Sequence, residues 1–396
     1  MIARDSFCRC IRAVSCTVLI ASCGARAPML PAYDPIPQPD LRDVESVLFL
    51  FGDAGAVRED DSPLLARLKK DIEDWSAELD ADGSVMVIGL GDVVYPNGVS
   101  APGTDAYHAD TAIAMSQLRL VAGPNARRRG ARVYFVAGNH DWKDDRDVEG
   151  FEQLKHLDAL IEAVRARDDI SVQLVPAAGT GGPHVIDWGR HFRLLLLDTS
   201  WWILQASDTA QTGMLSRIDA AISARGERDI MIMSHHPFIS AGPHGGNISK
   251  RSGMGMRYPL SKSGAILQDI TSLPYRRLEE GLRRIFERHE PPLIFAGGHE
   301  HSLQVIAGVK PTDPTINLVS GSVSKLADVG SERGMYFGRS APGYMRIIVE
   351  RNGGVTIFVE STDSDYMKCP ANENERARCM RDGLAAFHTV YSQRLR

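Results

Sequence analysis

The residues best suited to chemistry fall in five short segments: Gly52-Asp53-Ala54-Gly55, Gly91-Asp92-Val93-Val94-Tyr95, Gly138-Asn139-His140-Asp141, Ser234-His235-His236-Pro237 and Gly298-His299-Glu300-His301. Between them they offer the carboxylates of Asp53 and Asp92, the phenol of Tyr95, the amide of Asn139 and the imidazoles of His235, His299 and His301. That set is too large for one metal ion and suits two. It mixes oxygen and nitrogen donors without a thiolate, which argues against a structural zinc site. The chemistry it fits is two-metal hydrolysis, in which ions ~3.5–4 Å apart activate water and clamp a phosphoryl group.

The elements that must position these segments follow one pattern. An apolar run long enough for a buried strand leads into a glycine-flanked polar tip. The runs Ser46–Phe51, Val85–Leu90, Ala131–Ala137, Asp229–Met233 and Pro292–Ala296 each end at one of the five segments. Helices are expected over Pro63–Leu79, Thr111–Val121, Glu149–Arg167, Gly213–Arg225 and Pro274–His289. Further strands are expected over Ser171–Val175, His184–Trp188 and Phe192–Asp198, with three or four more between Pro314 and Val359. Alternating strands and helices imply an α/β sheet flanked by helices, with the site at the carboxyl ends of strands. The later strands imply a second sheet packed on the first. The polar stretch from Ser240 to Leu273 starts directly after the His235 segment and is expected to rim the pocket.

Bulk properties narrow the partners. The chain has 396 residues, 43% hydrophobic, with a net charge of -5. It carries no basic footprint for nucleic acid. Cys8, Cys10, Cys16 and Cys23 crowd one end, Cys369 and Cys379 the other, and none lies between. Such a gap suits an oxidising compartment, where Cys369 and Cys379 are expected to form a disulfide. Arg4, Arg9 and Arg12 precede a short apolar stretch ending in Leu19-Ile20-Ala21-Ser22-Cys23, which resembles a bacterial lipoprotein signal. The expected organisation is a signal over 1–23 with lipid on Cys23, a flexible tether over 24–44, a catalytic domain over 45–362 and an extension over 363–396. Export to the periplasm or outer membrane follows, with membrane contact only through the lipid. Oligomeric state is not legible.

Taken together, the five segments resemble those of the calcineurin-like metallophosphoesterase superfamily, and within it the purple acid phosphatases, over Val47 to Gln304. The resemblance implies a four-layer α/β sandwich, two mixed β-sheets packed together and flanked by helices. Most members carry Asp-x-His in the first segment. Here that third position is Gly55, and Tyr95, three residues after Asp92, stands in on the same ion. A phenolate is a hard anionic donor and favours ferric iron. The resemblance thus implies iron in site one, held by Asp53, Asp92, Tyr95 and His301. It implies iron, zinc or manganese in site two, held by Asp92, Asn139, His235 and His299, with Asp92 bridging. The i, i+2 spacing puts His299 and His301 on one face of an extended segment, so each can serve a different ion. The activity implied is hydrolysis of phosphomonoesters, either small molecules or phosphoproteins. A phosphodiesterase using the same metals is the alternative. A non-catalytic binding module is disfavoured because every ligand position is filled. His140 is the first candidate to protonate the leaving group, with Asp141 expected to hold its tautomer. His236 and His244 are weaker candidates beside the metals, and His236 also suits packing under the sheet. Trp201 and Trp202 are read as core.

Overall fold

The structure, a computed structural model, describes residues 35–144, 148–245, 267–362 and 368–396. The signal, Cys23, most of the tether, the middle of the 240–273 stretch and residues 363–367 lie outside them. In chain order the elements are β1 (Val44–Phe51), α1 (Pro63–Glu78), β2 (Val85–Gly89), α2 (Asp105–Leu118), α3 (Pro124–Arg128), β3 (Arg132–Phe135), α4 (Val148–Asp168), β4 (Ser171–Leu174), β5 (His184–Trp188), β6 (Phe192–Leu196), α5 (Thr199–Leu204), α6 (Asp208–Ser223), β7 (Asp229–Met233), α7 (Leu273–Arg288), β8 (Ile294–Gly297), β9 (Leu303–Ala307), β10 (Ile316–Ser320), β11 (Met335–Arg339), β12 (Gly343–Glu350), β13 (Val355–Ser361), α8 (Glu373–Ala386) and β14 (His388–Arg394).

Among the described residues the strands form two seven-stranded sheets, ordered β14-β13-β12-β1-β2-β3-β4 and β11-β9-β10-β8-β7-β6-β5. Both are mixed. β1 to β4 run parallel, and β12 joins β1 antiparallel. In the second sheet β6, β7, β8 and β10 run parallel, with antiparallel neighbours at each edge. The strand period of two explains the layering. In β1, Leu48 and Leu50 face Met231, Ile294 and Leu318 of the other sheet, while Phe49 and Phe51 join the helical side with Leu64, Leu68 and Ile72 of α1. Continuous apolar runs therefore mark strands covered on both faces. Helix, sheet, sheet and helix make the four layers expected.

Several helices begin where a side chain caps them. Ser62 accepts from Leu65 N ahead of Pro63, and Asp198 accepts from Trp201 N at the start of α5. Three features depart from expectation. Ile36 N donates to Ser392 Oγ at 2.7 Å, so the expected tether is tied to β14 at its middle. β14 pairs with β13 along the first sheet, so the segment set apart as an extension completes the sheet of the catalytic domain. α3, α5, β9 and α8 occupy stretches where no element was expected. Cys369 and Cys379 form a disulfide, their Cα atoms 5.7 Å apart. Among the described residues no helix is long and apolar enough to cross a membrane.

Candidate metal centre

All five segments emerge from the carboxyl ends of parallel strands β1, β2, β3, β7 and β8 at one edge of the sandwich. The chain reverses sharply there, and Asp53, Asp92, His299 and His301 take left-handed φ values of 60°, 58°, 67° and 49°. Asp and His tolerate that region better than most side chains. The backbones also approach closely. A Cβ on Gly138 would overlap both the N and Oδ1 of Asp92.

Asp141 locks the β2 and β3 tips together. Its carboxylate accepts from Asp92 N at 2.9 Å, Val93 N at 2.9 Å and Gly138 N at 2.8 Å. Burial and the neighbouring Asp92 charge push its pKa up to about 7, against the pull of the Gly138 N–H, the His235 charge and the Val93 N–H. This corrects the expected role. Asp141 does not hold the His140 ring, because three backbone donors have captured it beneath the loop. His140 Nδ1 meets the carbonyl of Pro96 at 2.6 Å instead.

The expected ligands come together in two adjoining groups. Tyr95 Oη lies 3.0 Å from Asp53 Oδ1 and 3.2 Å from His301 Nε2, and His301 Nε2 is 3.4 Å from Asp53 Oδ1. His235 Nε2 lies 2.9 Å from Asn139 Oδ1, 3.1 Å from His299 Nδ1 and 3.5 Å from Asp92 Oδ1. Asp53, Asp92 and His301 each bring one ligand atom within 4.8 Å of the others. Asp92 is the residue near both groups.

The donors fit a cation. His235 Nδ1 is 2.7 Å from the Leu90 carbonyl, which only accepts, so the ring's N–H sits there. In the neutral ring Nε2 then presents a lone pair to the lone pairs of Asn139 Oδ1. A proton or a metal ion between them relieves that confrontation, as does an amide turned to present Nδ2 to the ring. Burial pushes His235 down, but the Asp92 and Asp53 carboxylates hold its pKa above the usual value. His299 Nε2 is buried with no hydrogen-bond partner among the described residues. Burial and the rings of His244, His236, His235 and His301 keep His299 neutral, the form that ligates. Asp53 is raised by burial yet held below its ordinary value by His301 and His235. Tyr95 is pushed well up by burial and by Asp53 and Asp92.

The remaining candidates divide. His236 is buried, with Nδ1 2.8 Å from Thr199 Oγ1 and Nε2 3.0 Å from Gln268 Oε1. Both nitrogens are committed to protein partners, and the ring packs 4.4 Å from that of His299, so it supports the site rather than facing substrate. His244 is partly exposed, its ring 4.1 Å from His299 and its Nδ1 2.7 Å from Asp269 Oδ1. His140 is partly exposed and stands edge-on to Tyr95 at 4.6 Å. Trp201 and Trp202 are core, as expected. Sequence reasoning missed Asp198 and Thr199, which brace Trp142 and His236, and Asp269 beside His244. It also missed Lys325, whose ammonium lies 3.1 Å from the centre of the Tyr95 ring. A signal existed: Ile316–Ser320 runs into Gly321-Ser322-Val323-Ser324-Lys325, the same strand-to-tip pattern as the five segments.

Comparison with known proteins adds the following. The sequence model of the calcineurin-like phosphoesterase family matches residues 49–303. No curated protein matches the chain in sequence. Among solved structures, the anchor protein of the inner membrane complex of Plasmodium aligns at 13% identity and a TM-score of 0.48, over 88% of this chain and 96% of that one. A purple acid phosphatase from yellow lupin (Lupinus luteus) seeds aligns at 16% identity and a TM-score of 0.48, over 80% of this chain and 51% of its own.

Proposed function

The chain belongs to the calcineurin-like phosphoesterase family, and from that premise we propose that it is an exported phosphatase hydrolysing phosphomonoesters at a dinuclear, iron-containing centre. The observation that carries the reading is the seating of Tyr95. Its phenol lies between Asp53 and His301, next to a Gly55 that has no side chain to offer. Burial and two carboxylates hold that phenol protonated, so a cation of high charge density is what draws out the phenolate. That favours ferric iron in site one, with iron, zinc or manganese in site two. The disulfide between Cys369 and Cys379 supports export.

Asp53, Asp92, Tyr95 and His301 would hold the first ion, and Asp92, Asn139, His235 and His299 the second. Such ions supply charge neutralisation at the phosphoryl group and a more acidic water. The protein's own work is positioning and proton handling. Asp141 fixes the tips bearing Asp92 and Asn139. The Leu90 carbonyl fixes the His235 proton on Nδ1 and leaves Nε2 to ligate. The Pro96 carbonyl does the same for His140, so Nε2 is the atom that gives the leaving oxygen its proton.

The test is metal analysis and a visible spectrum of protein from its native compartment, with turnover of p-nitrophenyl phosphate against bis-p-nitrophenyl phosphate. Iron, a broad visible absorption lost in Tyr95→Phe, and preference for the monoester are expected. A colourless, fully active protein with two zinc ions sinks the iron assignment, and preference for the diester sinks the monoesterase assignment.

A further inference from the structure

The tip after β10 reaches the same edge as the five metal-bearing segments, because β10 runs parallel to β8. Two anchors hold it on the site. Ser324 N donates to the Asp53 carbonyl at 3.1 Å, and Ser324 Oγ donates to the same carbonyl while itself accepting from Ala56 N at 3.3 Å. Two residues beyond the lysine, Ala327 N donates to the His301 carbonyl at 2.9 Å. Lys325 is therefore strapped between the backbones of two residues assigned to the first ion. It is half-buried, and its ammonium rests 3.1 Å from the centre of the Tyr95 ring. Among the described residues that ammonium has no hydrogen bond or ion pair. An aromatic face holds a cation more weakly than a charged oxygen does. The arrangement is a cation kept at the mouth of an anion site on a partner it can leave.

We propose that Lys325 binds the phosphoryl group of the substrate, its ammonium moving from the Tyr95 ring to a non-bridging oxygen, and that this contact selects monoesters over diesters. The proposal rests on the phosphoesterase reading above. A monoester has three non-bridging oxygens and carries close to two negative charges near neutral pH, since its second ionisation falls near pH 6. A diester has two such oxygens and one charge. A cation in addition to the metal ions therefore finds its extra anionic oxygen only on the monoester. Lys325 lies on the ring of Tyr95, whose neighbours His140 and His301 are partly exposed, and a substrate would enter on that flank of the centre.

The experiment compares metal-loaded wild type with Lys325→Met and Lys325→Arg. Inorganic phosphate binding is read by calorimetry, kcat/KM is read on p-nitrophenyl phosphate and bis-p-nitrophenyl phosphate, and bound metal is counted. Lys325→Met should weaken phosphate binding and lower monoester kcat/KM by roughly 10–100-fold, the range for one charge-assisted hydrogen bond. The diester should lose less than about threefold, metal content should hold, and Lys325→Arg should recover most of the loss. Equal losses on both esters, unchanged phosphate binding, or loss of metal in Lys325→Met would each overturn the proposal. If wild type turns over neither ester, the phosphoesterase reading fails, and the phosphate titration still decides the lysine.

Discussion

Replacing Gly55 with alanine tests how Tyr95 is held. A Cβ on Gly55 would lie 2.7 Å from Tyr95 N, 2.8 Å from the Val94 carbonyl carbon and 2.9 Å from Asp92 O. Ordinary contact begins at 3.4 Å, so the Asp92–Tyr95 turn must retreat by about 0.5–0.7 Å. All three obstacles are backbone atoms, so no side-chain rotation relieves them. The turn is also held from its other side, by Asp141 on Asp92 N and Val93 N. Ligand distances at a metal are kept within about 0.2 Å, well inside that displacement. Overpacking of this kind costs about 1–3 kcal/mol. Expressed in the affinity of the ion that Tyr95 serves, that is roughly 5–150-fold, at about 1.4 kcal/mol per tenfold. The assay is calorimetric metal titration of stripped protein, with thermal unfolding of the metal-free form alongside. Gly213→Ala is the control: in α6 its Cβ meets nothing nearer than Arg217 Nη1 at 3.5 Å, and a gain of roughly 0.5–1 kcal/mol is expected. A Gly55→Ala protein with wild-type metal affinity and thermal midpoint would refute the reasoning. The same geometry makes histidine at position 55 and this seating of Tyr95 mutually exclusive, so Gly55→His should bind the first ion worse still.

Asp92→Ala should release both ions, whereas His299→Ala should mainly weaken the second; two tightly held metals in Asp92→Ala would undo the ligand assignment. His140→Ala should lower kcat on an alkyl phosphate by roughly 10²–10⁴-fold and much less on p-nitrophenyl phosphate, whose leaving group needs little protonation. Metal content should stay constant, since the His140 contact to Asp92 Oδ1 is made by the backbone N–H at 3.1 Å; an equal loss on both substrates would point to positioning instead. Away from the site, Asp313 is pushed up by burial but held below its ordinary value of 3.8 by the Lys310 N–H, the Arg283 guanidinium and the Val309 N–H. A carboxylate with a lowered folded pKa contributes stability above its unfolded value and loses it as pH falls through the folded one. Wild type should therefore lose more of its thermal midpoint than Asp313→Asn between about pH 5 and about pH 2; parallel acid limbs would show that the clamp contributes nothing.

The fold was legible where burial wrote a period into the sequence. α1 shows Leu64, Leu65, Leu68, Ile72 and Trp75 at helical spacing, and all five are buried. β1, β2, β7 and β8 are continuous apolar runs because both of their faces are covered. α8 and β14 were illegible for the converse reason. Gly383 is the only residue of α8 described as buried, so no apolar stripe marks it. β14 lies at a sheet edge and carries a half-polar sequence. In such elements tertiary pairing, here with β13 and across the disulfide, decides what local preference does not. β9 was hidden by proximity, because its five residues begin two positions after His301 and left no turn signal between site and strand.

The residues gathered at the candidate metal centre were legible for a different reason, and the same reason shows what escaped. Asp53, Asp92, His299 and His301 occupy left-handed backbone, which costs a residue with a side chain roughly 1–3 kcal/mol. Several such residues persist together only where the surroundings over-determine them. Here the surroundings are backbone donors on buried carboxylates: His299 N on Asp53 Oδ2 at 2.8 Å, His140 N on Asp92 Oδ1 at 3.1 Å, and the three N–H groups gathered by Asp141. The local part of that arrangement needs a glycine beside an Asp or His, and a glycine beside such a residue is visible in a sequence. The long-range part does not: nothing adjacent to Asp141 indicates that its partners lie 48 and 49 residues away, and nothing adjacent to Lys325 indicates Tyr95. Asp53, Asp92 and His299 could be read because each follows a glycine at a turn of its own; the groups that hold those turns in place are joined only by the fold.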